Sequence, residues 1–280
     1  MQLIHDINDM QTIALRERVH KKIALVPTMG YLHEGHLSLI RLAKQHADIV
    51  IISIFVNPSQ FGPNEDLDKY PRDLENDLKL CEQINVDYVF NPEAKAVYPH
   101  PFLTQVSVTE LKSMMCGISR QVHFDGVALI VNKLLNICQP HLAVFGLKDY
   151  QQFIIIQRMV NELNIPVKLI GAATVREADG LALSSRNKYL DSEQRKDALI
   201  LYQSLQKAKL LIENNEKPIS EIKTIISADF KKTKARLDYF VIKDAITLQD
   251  IEIAAGKLVI AIAAYIGKAR LIDNIQLTIG

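Results

Sequence analysis

The chain has 280 residues, with 33 lysines and arginines against 32 aspartates and glutamates and a formal net charge of +1 at pH 7. That balance excludes a bulk electrostatic case for nucleic acid or for an acidic membrane, and 48% hydrophobic with 23% charged residues is ordinary for a soluble chain with a large core. Cys81, Cys116 and Cys138 are odd in number and lack CxxC spacing, which disfavours a disulfide framework or zinc site and points to reduced, cytoplasmic surroundings.

The N-terminus lacks the basic-then-apolar pattern of a signal peptide. No apolar run approaches the ~20 residues of a membrane helix. An amphipathic helix with a short lead-in is expected over 1–20 and a buried strand over 23–26. A helix is expected over 37–46, and a wholly apolar, β-branched strand over 48–56. Residues 57–72 carry Pro58, Gly62, Pro63 and Pro71 and read as a long loop, a place where function often sits. A helix over 73–83 and strands over 86–90 and 104–108 follow. Then come a helix over 124–138, a strand over 142–145, a helix over 150–163 and a strand over 167–170.

Strands alternating with helices predict an α/β fold, a parallel sheet with helices on both faces. The pattern changes near residue 175. Residues 176–189 are polar, helical patterns run over 191–213 and 217–232, and apolar runs over 238–242 and 257–266 read as strands. We therefore expect an N-terminal domain over 1–175 and a smaller α+β domain over 176–280. The basic run 231–236 has no interleaved aromatics and reads as a solvated surface.

Five stretches carry candidate chemistry. Val26 to Leu39 reads as strand, turn and helix start, with His33 and His36 three residues apart. A helix start presents unpaired N–H groups and suits an anion such as phosphate. Taken alone, an HxxH pair reads first as two helix-capping or surface histidines, and it supplies only two metal ligands. Asn57 and Gln60 follow the second long strand and offer amides suited to hydroxyl or carboxylate groups. Arg120 and His123 precede a helix, Arg having the fork geometry for carboxylate or phosphate; the other reading is a surface loop with a salt bridge. Gly146 ends a strand, with Lys148 as a phosphate candidate, Asp149 as an N-cap and Gln152 one turn on. Ser184, Ser185 and Arg186 suit a triphosphate. Four of the five lie at carboxyl ends of strands, where open α/β sheets bind ligands. Neither a GxxxxGK(S/T) loop nor a GxGxxG turn is present.

His33-Glu34-Gly35-His36 resembles the HxGH signature of the nucleotidyltransferase superfamily that includes class I aminoacyl-tRNA synthetases. PTMGYLHEGHLSLI, SIFVNPSQF, YPRDLENDL, SRQVHFDGV, FGLKDYQQ, DGLALSSRN and ARLIDN, in order from Pro27 to Asn274, resemble the pantothenate synthetase family. The resemblance implies a Rossmann-like N-terminal domain, a C-terminal lid, a homodimer, ATP and Mg²⁺. It implies condensation of pantoate with β-alanine through a pantoyl adenylate, releasing AMP and pyrophosphate. The ATP contacts it implies are Met29, Gly30, Tyr31, Leu32, His33, Glu34, Gly35, His36, Gly146, Leu147, Lys148, Asp149, Val175, Leu183, Ser184, Ser185 and Arg186. His36 matches the proton donor of the family; His33, Lys148, Ser184, Ser185 and Arg186 join it on the phosphates. Gln60 and Gln152 fall on pantoate, Gln60 also on β-alanine, with Met29, Asn57, Tyr70, Arg120 and His123 completing the substrate set. The metal ligands are not assigned. The chain departs from the family where Gln121-Val122 replaces Pro-Gly and where Leu147 replaces Glu.

Overall fold

The computed structural model describes residues 1–63, 65–214 and 218–280. Asn64 of the expected 57–72 loop and Lys217, where the last expected helix begins, lie outside the described residues. The first elements are β1 (Gln2–Ile4), α1 (Ile7–Glu17), β2 (Ile23–Thr28), α2 (Glu34–Lys44), β3 (Ile49–Ile54), α3 (Leu74–Gln83) and β4 (Tyr88–Phe90). Next come the short helices α4 (Ala94–Val97) and α5 (Cys116–Ser119), then α6 (His123–Cys138), β5 (Leu142–Gly146), α7 (Tyr150–Glu162) and β6 (Lys168–Ala172). The chain ends with α8 (Ser192–Asp197), α9 (Leu199–Glu213), α10 (Ile219–Phe230), β7 (Arg236–Asp244), β8 (Gly256–Ile266) and β9 (Ala269–Ile279).

Among the described residues, β1 to β6 form one parallel sheet in the order β1-β4-β3-β2-β5-β6. Alternate residues of each central strand enter opposite cores. Ile23 and Leu25 of β2 and Ile49 and Ile51 of β3 join α1 and α6 on one face. Ala24 and Val26, with Val50 and Ile52, join α2 on the other. Both faces are covered, so the strands are apolar throughout, as a parallel sheet requires.

The order of strands reverses between β2 and β5. There the ladder is short: β2 pairs β5 only at Ala24–Leu142 and Leu25–Ala143, while β5 stays with β6 as far as Gly146–Ala172. Pro27 of β2 has no N–H to donate, and the two strands part before reaching it. An open α/β sheet takes its ligand at such a reversal, outside the carboxyl ends.

The chain divides into two compact units. The first holds Met1–Ser113, Gly117–Leu147 and Gln152–Ala173; the second holds Met114–Cys116, Lys148–Gln151 and Thr174–Gly280. The second is built on an antiparallel sheet, β7-β8-β9. Leu201, Leu205 and Ala208 of α9 and Ile222 and Ile226 of α10 pack in one core with Ile242, Ile260 and Ile262.

Several expected elements differ. Residues 104–108 form no strand; Val106 and Val108 lie half-buried against the first core, so their alternation reflects a chain laid over apolar surface. Residues 1–20 open with β1 before the helix. The helix expected over 37–46 begins at Glu34, because His33 caps it. The single helix over 191–213 is broken at Ala198. Asp149 is the exposed last residue of a 3-10 turn, Leu147–Asp149, that runs into α7, rather than an isolated cap. β9 was not expected: its buried Asp273 and Asn274 interrupt the apolar alternation.

Candidate active site

The turn after β2 holds two consecutive residues at positive φ, Gly30 at 79° and Tyr31 at 53°. Left-handed backbone is uncommon outside glycine, so something must hold it. Thr28 Oγ1 donates to Ser53 O (2.7 Å) and accepts from Gly30 N (3.2 Å). Asp77, from the first turn of α3, accepts from Tyr31 N at 2.8 Å and from Leu32 N at 2.7 Å, one amide on each carboxylate oxygen. A Cβ on Gly30 would sit 2.9 Å from Asp77 Oδ2. Asp77 is 1% exposed, and burial raises its pKa although the two amides oppose the shift. From the sequence Asp77 is only a candidate supporting acid near the 57–72 loop; an acid in a first helical turn is ordinary, and no local signal ties it to a turn 46 residues earlier.

Leu32 is buried in the core beside α2. His33 is the N-cap of α2. Its Nδ1 accepts from Gly35 N (3.1 Å), and His36 Nδ1 accepts from His33 N (3.3 Å). A ring nitrogen that accepts an N–H carries no proton, so each neutral imidazole is the Nε2–H tautomer. The rings lie 4.1 Å apart, centroid to centroid. The capping and phosphate-donor readings are therefore compatible: Nδ1 caps, Nε2 donates. Glu34 is exposed and pairs with Arg41 of the same helix.

The segment after β3 is built around Asn57, 1% exposed. Its Nδ2 donates to Gln60 Oε1 (3.0 Å) and Gly126 O (3.1 Å). Its Oδ1 accepts from Tyr98 OH (2.7 Å) and Ser59 Oγ (2.9 Å). Burial raises the pKa of Tyr98, which keeps that hydroxyl a donor. Gln60 Nε2 in turn reaches Met29 Sδ at 3.0 Å, joining the β3 segment to the β2 turn. His123, the first residue of α6, donates from Nδ1 to Gln60 O at 3.0 Å. Gln60 is thus held at both backbone and side chain.

Arg120 is engaged by Glu65, through Nε to Oε1 (2.9 Å) and Nη2 to Oε2 (2.6 Å). Burial works against the Glu65 carboxylate, but Arg120 outweighs it and holds the pKa below the usual value. The salt-bridge alternative for Arg120 is the one the structure contains, and His123 braces Gln60. Gln121 and Val122 are exposed, and Val122 makes no side-chain cap. Tyr70 is buried with its ring edge-on to Phe61. Gln152 is half-buried in the first turn of α7 and makes no side-chain hydrogen bond among the described residues.

The sequence profile described as pantoate-beta-alanine ligase matches residues 2–276. The chain belongs to the pantoate–β-alanine ligase family. It is 51% identical over 276 residues to the pantothenate synthetase of Fervidobacterium nodosum, covering 98% of both chains. It is 51% identical to that of Thermotoga neapolitana, covering 98% of this chain and 99% of the relative. The crystal structure of pantothenate synthetase from Thermus thermophilus superimposes with a TM-score of 0.93 at 39% identity, over 98% of this chain and 99% of that one. A pantoate-beta-alanine ligase from Francisella tularensis, complexed with Beta-gamma ATP and beta-alanine, has a TM-score of 0.82 at 37% identity, over 98% and 97% of the two chains.

The Leu147 side chain packs on β6: a Cβ on Gly171 would meet Leu147 Cδ2 at 2.6 Å. In the second unit, Val175 and Leu183 are directly paired, Leu183 N donating to Val175 O at 3.0 Å. Ser184 caps the 3-10 turn Ser185–Tyr189 by accepting from Arg186 N. Lys148 is half-buried in its own 3-10 turn. Among the described residues no group of three or more His, Cys, Asp or Glu is arranged to hold a metal ion, and no helix is long and apolar enough to cross a membrane. Cys81, Cys116 and Cys138 are buried thiols.

Proposed function

We propose that this chain joins pantoate to β-alanine at the expense of ATP. A pantoate carboxylate oxygen attacks the α-phosphorus of ATP. The bond to the β-phosphate oxygen breaks, and pyrophosphate leaves with the electron pair. The amine of β-alanine then attacks the acyl carbon, loses a proton and expels AMP. The observation that carries this reading is the histidine pair at the start of α2, with both Nδ1 atoms occupied by backbone amides and both Nε2 atoms as donors. Such preorganised donors stabilise charge that grows on a leaving phosphate.

In this reading His33, His36, Lys148, Ser184, Ser185 and Arg186 contact the phosphates, with His36 as proton donor. The other nucleotide contacts are Met29 to Gly35, Gly146, Leu147, Asp149, Val175 and Leu183. Gln60 and Gln152 bind the hydroxyls and carboxylate of pantoate, and Met29 packs on its gem-dimethyl group. Asn57 and His123 act on substrate through Gln60, Tyr70 through the loop it packs in, and Arg120 through its pair with Glu65. Mg²⁺ would be brought in with ATP and would supply positive charge to neutralise its phosphates. The same reading takes residues 1–175 as the nucleotide- and pantoate-binding domain, 176–280 as the lid, the assembly as a homodimer and the location as cytoplasmic.

The test is pantoate-dependent exchange of labelled pyrophosphate into ATP, followed by addition of β-alanine. Exchange without β-alanine, then stoichiometric AMP and pantothenate, is the expected result. Exchange that does not require pantoate, or AMP retained on the product, would overturn the reading.

A further inference from the structure

The run Ala269 to Asn274 has no part in the chemistry above, yet its polar side chains brace four separate stretches of the second unit. Arg270 pairs with Asp238 (2.7 Å) and donates to Cys116 Sγ (3.5 Å). Asp273 takes Arg176 in a two-pronged pair, Nη1 to Oδ2 at 2.6 Å and Nη2 to Oδ1 at 2.9 Å. Asn274 Nδ2 donates to Lys148 O at 2.8 Å.

Asp273 and Asn274 are 3% and 4% exposed, neighbours in the middle of β9 opposite Ile262 and Ala261. Two adjacent buried polar residues in a strand are costly unless each is fully engaged. Here Asn274 N donates to Asp273 Oδ1 (2.7 Å), and Gln276 Nε2 donates to Asn274 Oδ1.

Two of these contacts, Asp273 with Arg176 and Asn274 with Lys148, end on segments assigned above to the nucleotide. Arg176 forms an isolated bridge with Ala182, beside the Val175–Leu183 pair that leads into Ser184. Its guanidinium also donates to Gly180 O (3.0 Å) and lies 4.5 Å from the centre of the Tyr202 ring. Gly180, at φ 99°, allows that stack, since a Cβ there would meet the Tyr202 ring at 2.1 Å. The base of the arm that carries Ser184, Ser185 and Arg186 is therefore tied to Asp273. The backbone from which the Lys148 side chain departs is tied to Asn274.

We propose that Asp273 and Asn274 are positioning residues for adenylate formation, Asn274 acting through Lys148 and Asp273 through the arm of Ser184. The inference rests on the assignment of those two segments to the phosphates of ATP. Holding a charged donor to sub-ångström tolerance matters because a small misplacement costs orders of magnitude in rate.

Asn274→Asp keeps the size of the side chain and removes its donor. In single-turnover pyrophosphate release at saturating ATP and pantoate it is expected to be about 10- to 100-fold slower than the parent, with the KM for pantoate unchanged. In a Lys148→Ala background the same substitution should cost less than about 2-fold, because residues that act through one another are not additive. Asp273→Asn should show the same dependence on Ser184→Ala. A merely structural role would give equal factors in both backgrounds and a matching loss in melting temperature, and that result overturns the proposal. If Asn274→Asp does not fold, Asn274→Ala, which sets no charge against the carbonyl, makes the same comparison. Pantoate-dependent exchange that is normal in the parent and unchanged in the Asn274 variants sinks this inference alone; no exchange in the parent sinks the underlying assignment as well.

Discussion

The carboxylate of Asp77 holds the backbone of Tyr31, accepting its N–H at 2.8 Å and that of Leu32 at 2.7 Å. The turn that introduces the two histidines therefore owes its shape to α3. Asp77→Asn replaces one acceptor by an NH2 group that faces a backbone donor. We expect a loss of about 1–3 kcal/mol, the cost of leaving a buried group unsatisfied, read from urea unfolding. Adenylate formation should slow as well. A variant as stable and as active as the parent would show that the turn keeps its shape without the carboxylate.

Two carboxylates give opposite pH dependences. The pKa of Asp77 is raised above the usual 3.8, chiefly by burial. The part of its contribution that depends on protonation is therefore largest below pH 3.8 and is lost as pH rises through its folded value, while the two amide bonds to the carboxylate remain. Burial alone would raise Glu65, but Arg120 lowers its pKa below the usual 4.5. Its contribution is full above pH 4.5 and is lost as pH falls through its folded value. Melting temperatures from pH 3 to 7 check this. The gap between parent and Glu65→Gln should close toward acid, and the gap between parent and Asp77→Asn should narrow toward neutral pH. Parallel pH profiles for the two variants would contradict both assignments.

His36→Ala and Lys148→Ala should each slow adenylate formation by on the order of 10²-fold, the scale of one preorganised donor. Burst measurements of pyrophosphate release read this step directly. Because His33 N donates to His36 Nδ1, His36→Ala also loses a cap at α2, worth about 1 kcal/mol. The rate loss should exceed what that drop in stability explains. Rates near those of the parent would remove the residue from the chemistry.

Gly126 lies where α6 crosses the segment after β3. A Cβ there would fall 2.3 Å from Ser59 O and 2.6 Å from Gln60 N, both backbone atoms that no rotamer change relieves. Alanine ordinarily improves a helix interior by about 1 kcal/mol, but here overpacking should give a net loss of about 1–3 kcal/mol. The displacement falls on Gln60, so the KM for pantoate should rise more than that for ATP. Gln60→Ala should show the same bias without the loss of stability. A stabilised Gly126→Ala with unchanged pantoate KM would mean that the close approach is unimportant.

The α/β class was legible because both faces of the sheet are covered. Full burial makes β2 and β3 apolar and β-branched throughout, a signal of composition that does not depend on long-range pairing. β9 was not legible because Asp273 and Asn274, poor strand formers, are buried there by partners as distant as Arg176 and Lys148. The apparent strand at residues 104–108 failed for the converse reason. Its alternation is real, but it reflects contact with a core and not a ladder.

The sequence by itself determined the family, through ordered runs from Pro27 to Asn274, and with it the residue types of the candidate site. Only the tertiary structure decided how those residues are held. Strand order puts the turn after β2 beside the segment after β3, where Gln60 meets Met29. Backbone amides choose the tautomers of His33 and His36. Asp77, Asn57 and Gly126 gain their roles from elements far off in the chain, and no local pattern can encode a contact whose partner is set by the fold.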